Sequence, residues 1–174
     1  MTGCAEIDFD TVHNLVLDDV GVRVSDVESA SVTIGRKGGD RLVITVLGRM
    51  HVEAADFWDG NWLFSPVDLV VGGFTAQVPA GLRADELLSF REQLSKAYAE
   101  FGGVARLESM ERWLGLTVTV EKSGRVEIEG EAIDGHGSGN RLCFEIDGLD
   151  QSDLPAIVGE LSSIEAQFPV LGMP

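Results

Sequence analysis

The sequence predicts an α+β domain: antiparallel β-sheet, with two helices packed on one sheet face. Three observations carry that prediction. In the second half, Leu116, Val118 and Val120 alternate with Thr117, Thr119 and Glu121, the mark of a strand with one wet face. Two segments, about 85–101 and 153–168, repeat apolar residues at helical spacing. Glycine-bearing turns separate the strand-like runs by hairpin-length gaps.

Taken in order, residues 1–31 carry seven acids against one base, Arg23, with apolar residues in short clusters and no sustained period. They read as an acidic N-terminal arm, an edge element or a partly disordered one, and residues 32–174 as a single α+β domain. Val32–Gly35 and Leu42–Val52 are strands around the turn Arg36-Lys37-Gly38-Gly39-Asp40. In the longer run Leu42, Ile44, Val46, Met50 and Val52 share a face, while Val43 and Leu47 on the other suggest a central strand. Trp62–Val71 and Phe74–Pro79 follow, parted by Gly72-Gly73.

Asp85 is the expected N-cap of a helix whose stripe is Leu87, Phe90, Leu94, Ala97 and Phe101, ended by Gly102-Gly103. Three strands come next, centred on Leu116–Val120, Val126–Ala132 and Leu142–Ile146, joined by Lys122-Ser123-Gly124 and the loop Gly135–Asn140. The last helix has Ser152 as its expected cap, tolerates Pro155 in its first turn and stops at Pro169. Shifting the chain by 67 residues lays Leu87, Phe90, Leu94, Ala97 and Phe101 on Leu154, Ile157, Leu161, Ile164 and Phe168. A strand–strand–helix repeat accounts for this, and so does helical periodicity alone.

The net charge of −16 argues against nucleic acid, whose phosphates need a cationic face, and against anionic membranes. It suits a basic protein partner, or solubility alone. Two cysteines, Cys4 and Cys143, are too few for a disulfide framework, and no run approaches the length of a membrane span, so the expected location is the cytoplasm.

Catalytic chemistry is not legible. No Gly-x-Ser-x-Gly elbow occurs, neither cysteine has a histidine near it in sequence, and the expectation is a protein that is not an enzyme and holds no cofactor or metal. The loop Gly135-His136-Gly137-Ser138-Gly139-Asn140 leads into a strand, so a hairpin turn explains it better than a phosphate cradle. An alternative is a small metal-dependent or ligand-binding enzyme around His51, Asp56 and Asp59, with Glu53 beside them. Against it, the three histidines, His13, His51 and His136, are scattered. A structural or assembly module, homodimeric through a sheet edge, is a third reading.

The carboxylates Glu121, Glu127, Glu129, Glu131, Glu145 and Asp147 all project from one face if the last three strands pair in order. That face is either a solvated surface that discourages edge aggregation or a docking surface for a basic protein. Asp56, Trp58, Asp59, Asn61 and Trp62 form a compact motif between two strands, read as an enlarged hairpin turn and structural staple. Asp56, Asp59 and Asn61 are the expected partners of the indole N–H groups.

The stretch Asp56-Phe57-Trp58-Asp59-Gly60-Asn61-Trp62-Leu63 resembles a signature of the WapI-type bacterial immunity proteins. The likeness continues through Gly72-Gly73-Phe74, the helix with Leu87, Phe90 and Leu94, then Gly102, Leu114–Leu116, Gly130, Gly139-Asn140 and Leu142 to Pro169. The resemblance implies a non-enzymatic protein that binds and neutralises a toxin domain.

Overall fold

A computed structural model describes residues 29–135 and 139–174, so Cys4, His13, His136 and most of the arm 1–31 lie outside the described residues. The α+β class holds, with antiparallel strands and two helices among the described residues. The first half of the described chain contains β1 (Ala30–Gly35), β2 (Arg41–Val46), β3 (Gly48–Arg49), β4 (Trp62–Phe64), β5 (Val67–Val71), β6 (Phe74–Val78), β7 (Gly81–Arg83) and helix α1 (Ala84–Ala99). The second contains β8 (Gly103–Glu108), β9 (Leu114–Val120), β10 (Arg125–Ile133), β11 (Arg141–Asp150), a 3-10 turn at Gln151–Asp153 and helix α2 (Leu154–Gln167). Four-stranded sheets run β1-β2-β5-β6 and β8-β9-β10-β11, and β3-β4-β7 form a third, smaller one.

The third sheet arises because the first-half meander bends. The expected strand Leu42–Val52 breaks at Leu47, before Gly48 at φ 154°, and Trp62–Val71 breaks at Ser65-Pro66. The hydrogen-bond ladder crosses the bend: Thr45 N–H donates to the Pro66 carbonyl at 3.0 Å and Leu47 N–H to Phe64 at 2.8 Å. Ser65, fully buried, fixes the corner by accepting the Leu82 N–H at 2.7 Å. Beyond β3 the strand is over, and Val52, expected on the buried face, is 81% exposed.

Strand β8 lay outside the expected elements. Only Ala105 and Leu107 turn inward, alternating with exposed Val104, Arg106 and Glu108, too few apolar positions to establish a period. It gives the second half its fourth strand, so both halves are a four-stranded meander followed by a helix.

The helix stripes are buried as spaced: Leu87, Phe90, Leu94 and Ala97 on α1, and Leu154, Ile157, Leu161 and Ile164 on α2. The helices pack on each other, α1 against β8 and α2 against β1, so each covers the outer strand of the other half's sheet. At both places a polar side chain closes the strand edge. Gln93 accepts the Arg106 N–H at 3.0 Å, and Glu160 accepts the Thr33 N–H at 2.7 Å. Gln93 and Glu160 hold the same place in their helices, and each blunts an edge that would otherwise offer unpaired groups to another chain.

The helix ends differ from expectation. Arg83, not Asp85, occupies the N-cap position of α1, where the Glu86 carboxylate reaches back to accept its backbone N–H at 2.9 Å. Ahead of α2 it is Asp150, not Ser152, whose side chain caps the 3-10 turn by accepting the Ser152 N–H at 2.8 Å. At the far end of α1, Phe101 itself takes the left-handed position at φ 52°, with Gly102 N–H bonded back to the Ala97 carbonyl at 3.0 Å. That turn throws Phe101 off the apolar stripe and leaves it 67% exposed.

Candidate functional site

The connection between β3 and β4 is built by its own side chains. Asp56 Oδ1 accepts the backbone N–H groups of Trp58 at 2.8 Å and Asp59 at 3.0 Å, and Gly60 N–H donates to the Asp56 carbonyl at 3.1 Å. The two donors, Asp59 first and then Trp58, hold the Asp56 carboxyl below its ordinary range. Gly60 is required by space: an added Cβ would fall 2.6 Å from the Asp56 carbonyl oxygen. The loop stands where the short turn Glu121–Gly124 stands in the second half.

Its centre is a residue that the sequence reading passed over. Arg83, at the end of β7, is 1% exposed. Its Nη1 donates to the Trp58 carbonyl at 2.7 Å, its Nη2 to the Phe57 carbonyl at 2.9 Å, and its Nε to Asp85 Oδ1 at 3.0 Å. The guanidinium carbon also stands 5.0 Å from the Phe57 ring centre, 5.3 Å from Trp62 and 5.9 Å from Trp58. A buried cation survives only when paired and hydrogen-bonded, and here all three nitrogens are satisfied inside an aromatic shell. An isolated arginine before a helix start carries no periodic signal. The one hint was the aromatic-rich turn, which needs something to fold around.

Asn61 is fully buried and does more than turn the chain. Its Nδ2 donates to the Phe57 and Leu171 carbonyls, both at 2.9 Å, and its Oδ1 accepts the Leu171 N–H at 2.9 Å. It thereby pairs with the C-terminal tail as one strand pairs with another. Arg49 reinforces this by donating to the Gly60 and Pro169 carbonyls. Asp56 and Asn61 therefore bond to backbone groups, not to the indole N–H groups that were expected to donate to them. Trp58 remains 60% exposed at the rim, and Asp59 is exposed as well. Among the described residues no three histidine, cysteine or carboxylate side chains are gathered where they could hold a metal, His51, Glu53, Asp56 and Asp59 included.

The carboxylate face lies on the second sheet. Strands β9, β10 and β11 pair in chain order, with Val118, Val120, Val126, Ile128 and Ile146 turned inward. Glu129, Glu145 and Asp147 are exposed, Glu127 and Glu131 half-buried, and Glu121 is exposed in the turn beyond β9. Arg125 meets Glu127 at 3.1 Å and Asp147 at 4.0 Å, and Arg141 meets Glu131 at 2.9 Å. Between these pairs Glu129 and Glu145 sit directly opposite each other across β10 and β11, and among the described residues neither forms an ion pair. At the end of the same hairpin Asp134 grips Asn140, accepting its backbone N–H at 2.7 Å.

The sequence model of the Immunity protein WapI-like family matches residues 33–169 of this chain. The chain belongs to that family. The matched span begins inside β1 and ends just past α2, taking in the tryptophan loop, Arg83 and the carboxylate strands. A search among curated proteins returned no match. Membership of the WapI-like family gives the protein a toxin-neutralising role in general terms, with a toxin as its partner. Among the described residues no helix is long and apolar enough to cross a membrane.

Proposed function

We propose that this WapI-like immunity protein neutralises a basic toxin domain, as a non-enzymatic binding protein of the cytoplasm, by docking it on the outer face of β9–β11. The observation that carries the reading is the Glu129–Glu145 pair. Like charges directly opposite on neighbouring strands weaken a sheet, and a cation from a partner would relieve that repulsion at the moment of binding. The flanking Glu121, Glu127, Glu131 and Asp147 extend the field, and a net charge of −16 adds long-range steering.

The test is co-expression with a candidate toxin gene, sought among the neighbours of the gene for this protein. Glu129→Lys combined with Glu145→Lys keeps a like-charge pair, so the sheet should keep its stability while the centre of the face changes sign and its surplus of negative charge is lost. Loss of rescue with an unchanged melting temperature is the expected result. Full rescue by the double variant would remove the carboxylate face from the mechanism.

A further inference from the structure

Each four-stranded sheet ends in two outer strands, β1 and β6 in the first, β8 and β11 in the second. Glu160 and Gln93 close the edges of β1 and β8, and β11 carries the charges of Glu145 and Asp147. β6 has neither protection. Its residues, Phe74-Thr75-Ala76-Gln77-Val78, hold no charge, and no described strand pairs with its far side. The register fixes which of its backbone groups are left over. Thr45 N–H reaches the Pro66 carbonyl, so Pro66, Asp68 and Val70 turn their backbone groups to β2, and Val67, Leu69 and Val71 turn theirs to β6. The partners of these last three are Val78, Ala76 and Phe74. Thr75 and Gln77 therefore point their N–H and C=O groups outward, and among the described residues no group bonds to them.

We infer that β6 pairs with β6 of a second copy of this chain, antiparallel about a two-fold axis at Ala76, so that two sheets become one. The geometry is self-complementary. With Ala76 facing its own counterpart, Thr75 of each copy faces Gln77 of the other, and the outward groups of both residues are all used. Phe74, 66% exposed, then lies opposite Val78 of the second copy on the core side of the sheet, where its ring gains an apolar neighbour. Charge selects the same occupant. At −16 per chain, two copies repel over most of their surface, and an uncharged strand is where they can meet. The nearest acids are already engaged, Asp68 by Gln77 Nε2 at 2.9 Å and Asp40 by the Gly72 N–H at 2.8 Å. A basic toxin would find no counter-charge on this strand. The pairing uses no residue of the carboxylate face, so the dimer presents that face twice.

The test uses the whole chain, without any toxin. Sedimentation equilibrium should give a mass that rises with concentration towards twice 18.7 kDa. Added salt should tighten the association, because it screens the repulsion between like-charged copies. Thr75→Pro removes an outward N–H and leaves the bonds to β5 in place, so it should weaken the dimer about tenfold with little change in circular dichroism. In a Cys4→Ser, Cys143→Ser background, Ala76→Cys should form a disulfide between copies when oxidised glutathione is added, and Thr75→Cys, which faces Gln77, should not. A single-chain mass at every concentration, association that weakens with salt, or equal cross-linking at positions 75 and 76 overturns the inference. Slow exchange of the Thr75 and Gln77 amides in a monomer would likewise overturn it, giving the edge to a segment of the same chain. Because no toxin is present, failure here and failure of the carboxylate face are told apart.

Discussion

Arg83 holds Trp58 by both its backbone and its ring: Nη1 donates to the Trp58 carbonyl at 2.7 Å, while the guanidinium carbon lies 5.9 Å from the indole centre. An exposed tryptophan is thus presented at a fixed angle by a buried cation. Removing that cation strands the Phe57 and Trp58 carbonyls and opens a cavity among three rings. Arg83→Ala should cost about 3–5 kcal/mol, and Arg83→Lys, which keeps charge but not the planar fork, about 2–3 kcal/mol. Urea unfolding followed by tryptophan fluorescence measures both; a loss below about 1 kcal/mol for Arg83→Ala would contradict the keystone role.

Asn61 and the tail segment around Leu171 act as one unit. Asn61→Asp turns a donor into an anion facing the Phe57 and Leu171 carbonyls in a fully buried site, with an expected cost of about 3 kcal/mol. Deleting residues 169–174 should destabilise the parent protein more than it destabilises Asn61→Ala. Strict additivity in that cycle would show that the tail is held by other contacts.

The loop should loosen in acid. Asp56 ionises at a lower pH in the folded loop than in the unfolded chain, because the Asp59 and Trp58 N–H groups favour its carboxylate. Its contribution is therefore complete above the unfolded pKa and lost as pH falls through the folded one. Glu86 runs the other way: burial raises its carboxyl, so its ionised form opposes folding and acid relieves that penalty. Trp58 fluorescence titrated downward from about pH 5 should show a transition that Asp56→Asn abolishes and Glu86→Gln leaves in place.

Phe101→Gly should stabilise the protein. Phe101 sits at φ 52° and is 67% exposed, so the substitution relieves left-handed strain and gives up little burial. A gain of about 0.5–1 kcal/mol is expected after the extra entropy of glycine is subtracted. Thermal melting of the single variant decides it, and a loss of stability would mean that the ring is packed in solution.

What could be read along the chain was whatever repeats at short range. The two stripes ending in Ala97 and Ile164, the turn at Gly72-Gly73 and the alternation through Val118 and Ile128 each arise from neighbours a few residues apart. They required only periodicity and turn chemistry. The 67-residue shift read correctly across the stripes but failed at Phe101, where one backbone rotation outweighed a helical period. Strand β8 escaped because two inward residues establish no period.

The sequence by itself determined the α+β class, the helices and the strands that carry the carboxylates, because apolar spacing dictates which face can be buried. The tertiary structure alone decided that Arg83 is the centre of the tryptophan loop and that Asn61 clasps Leu171. Those relationships join residues 25 or 26 positions apart in the first case and 110 in the second. A buried polar group must find its partners wherever the fold brings them, so local pattern holds no trace of where they are.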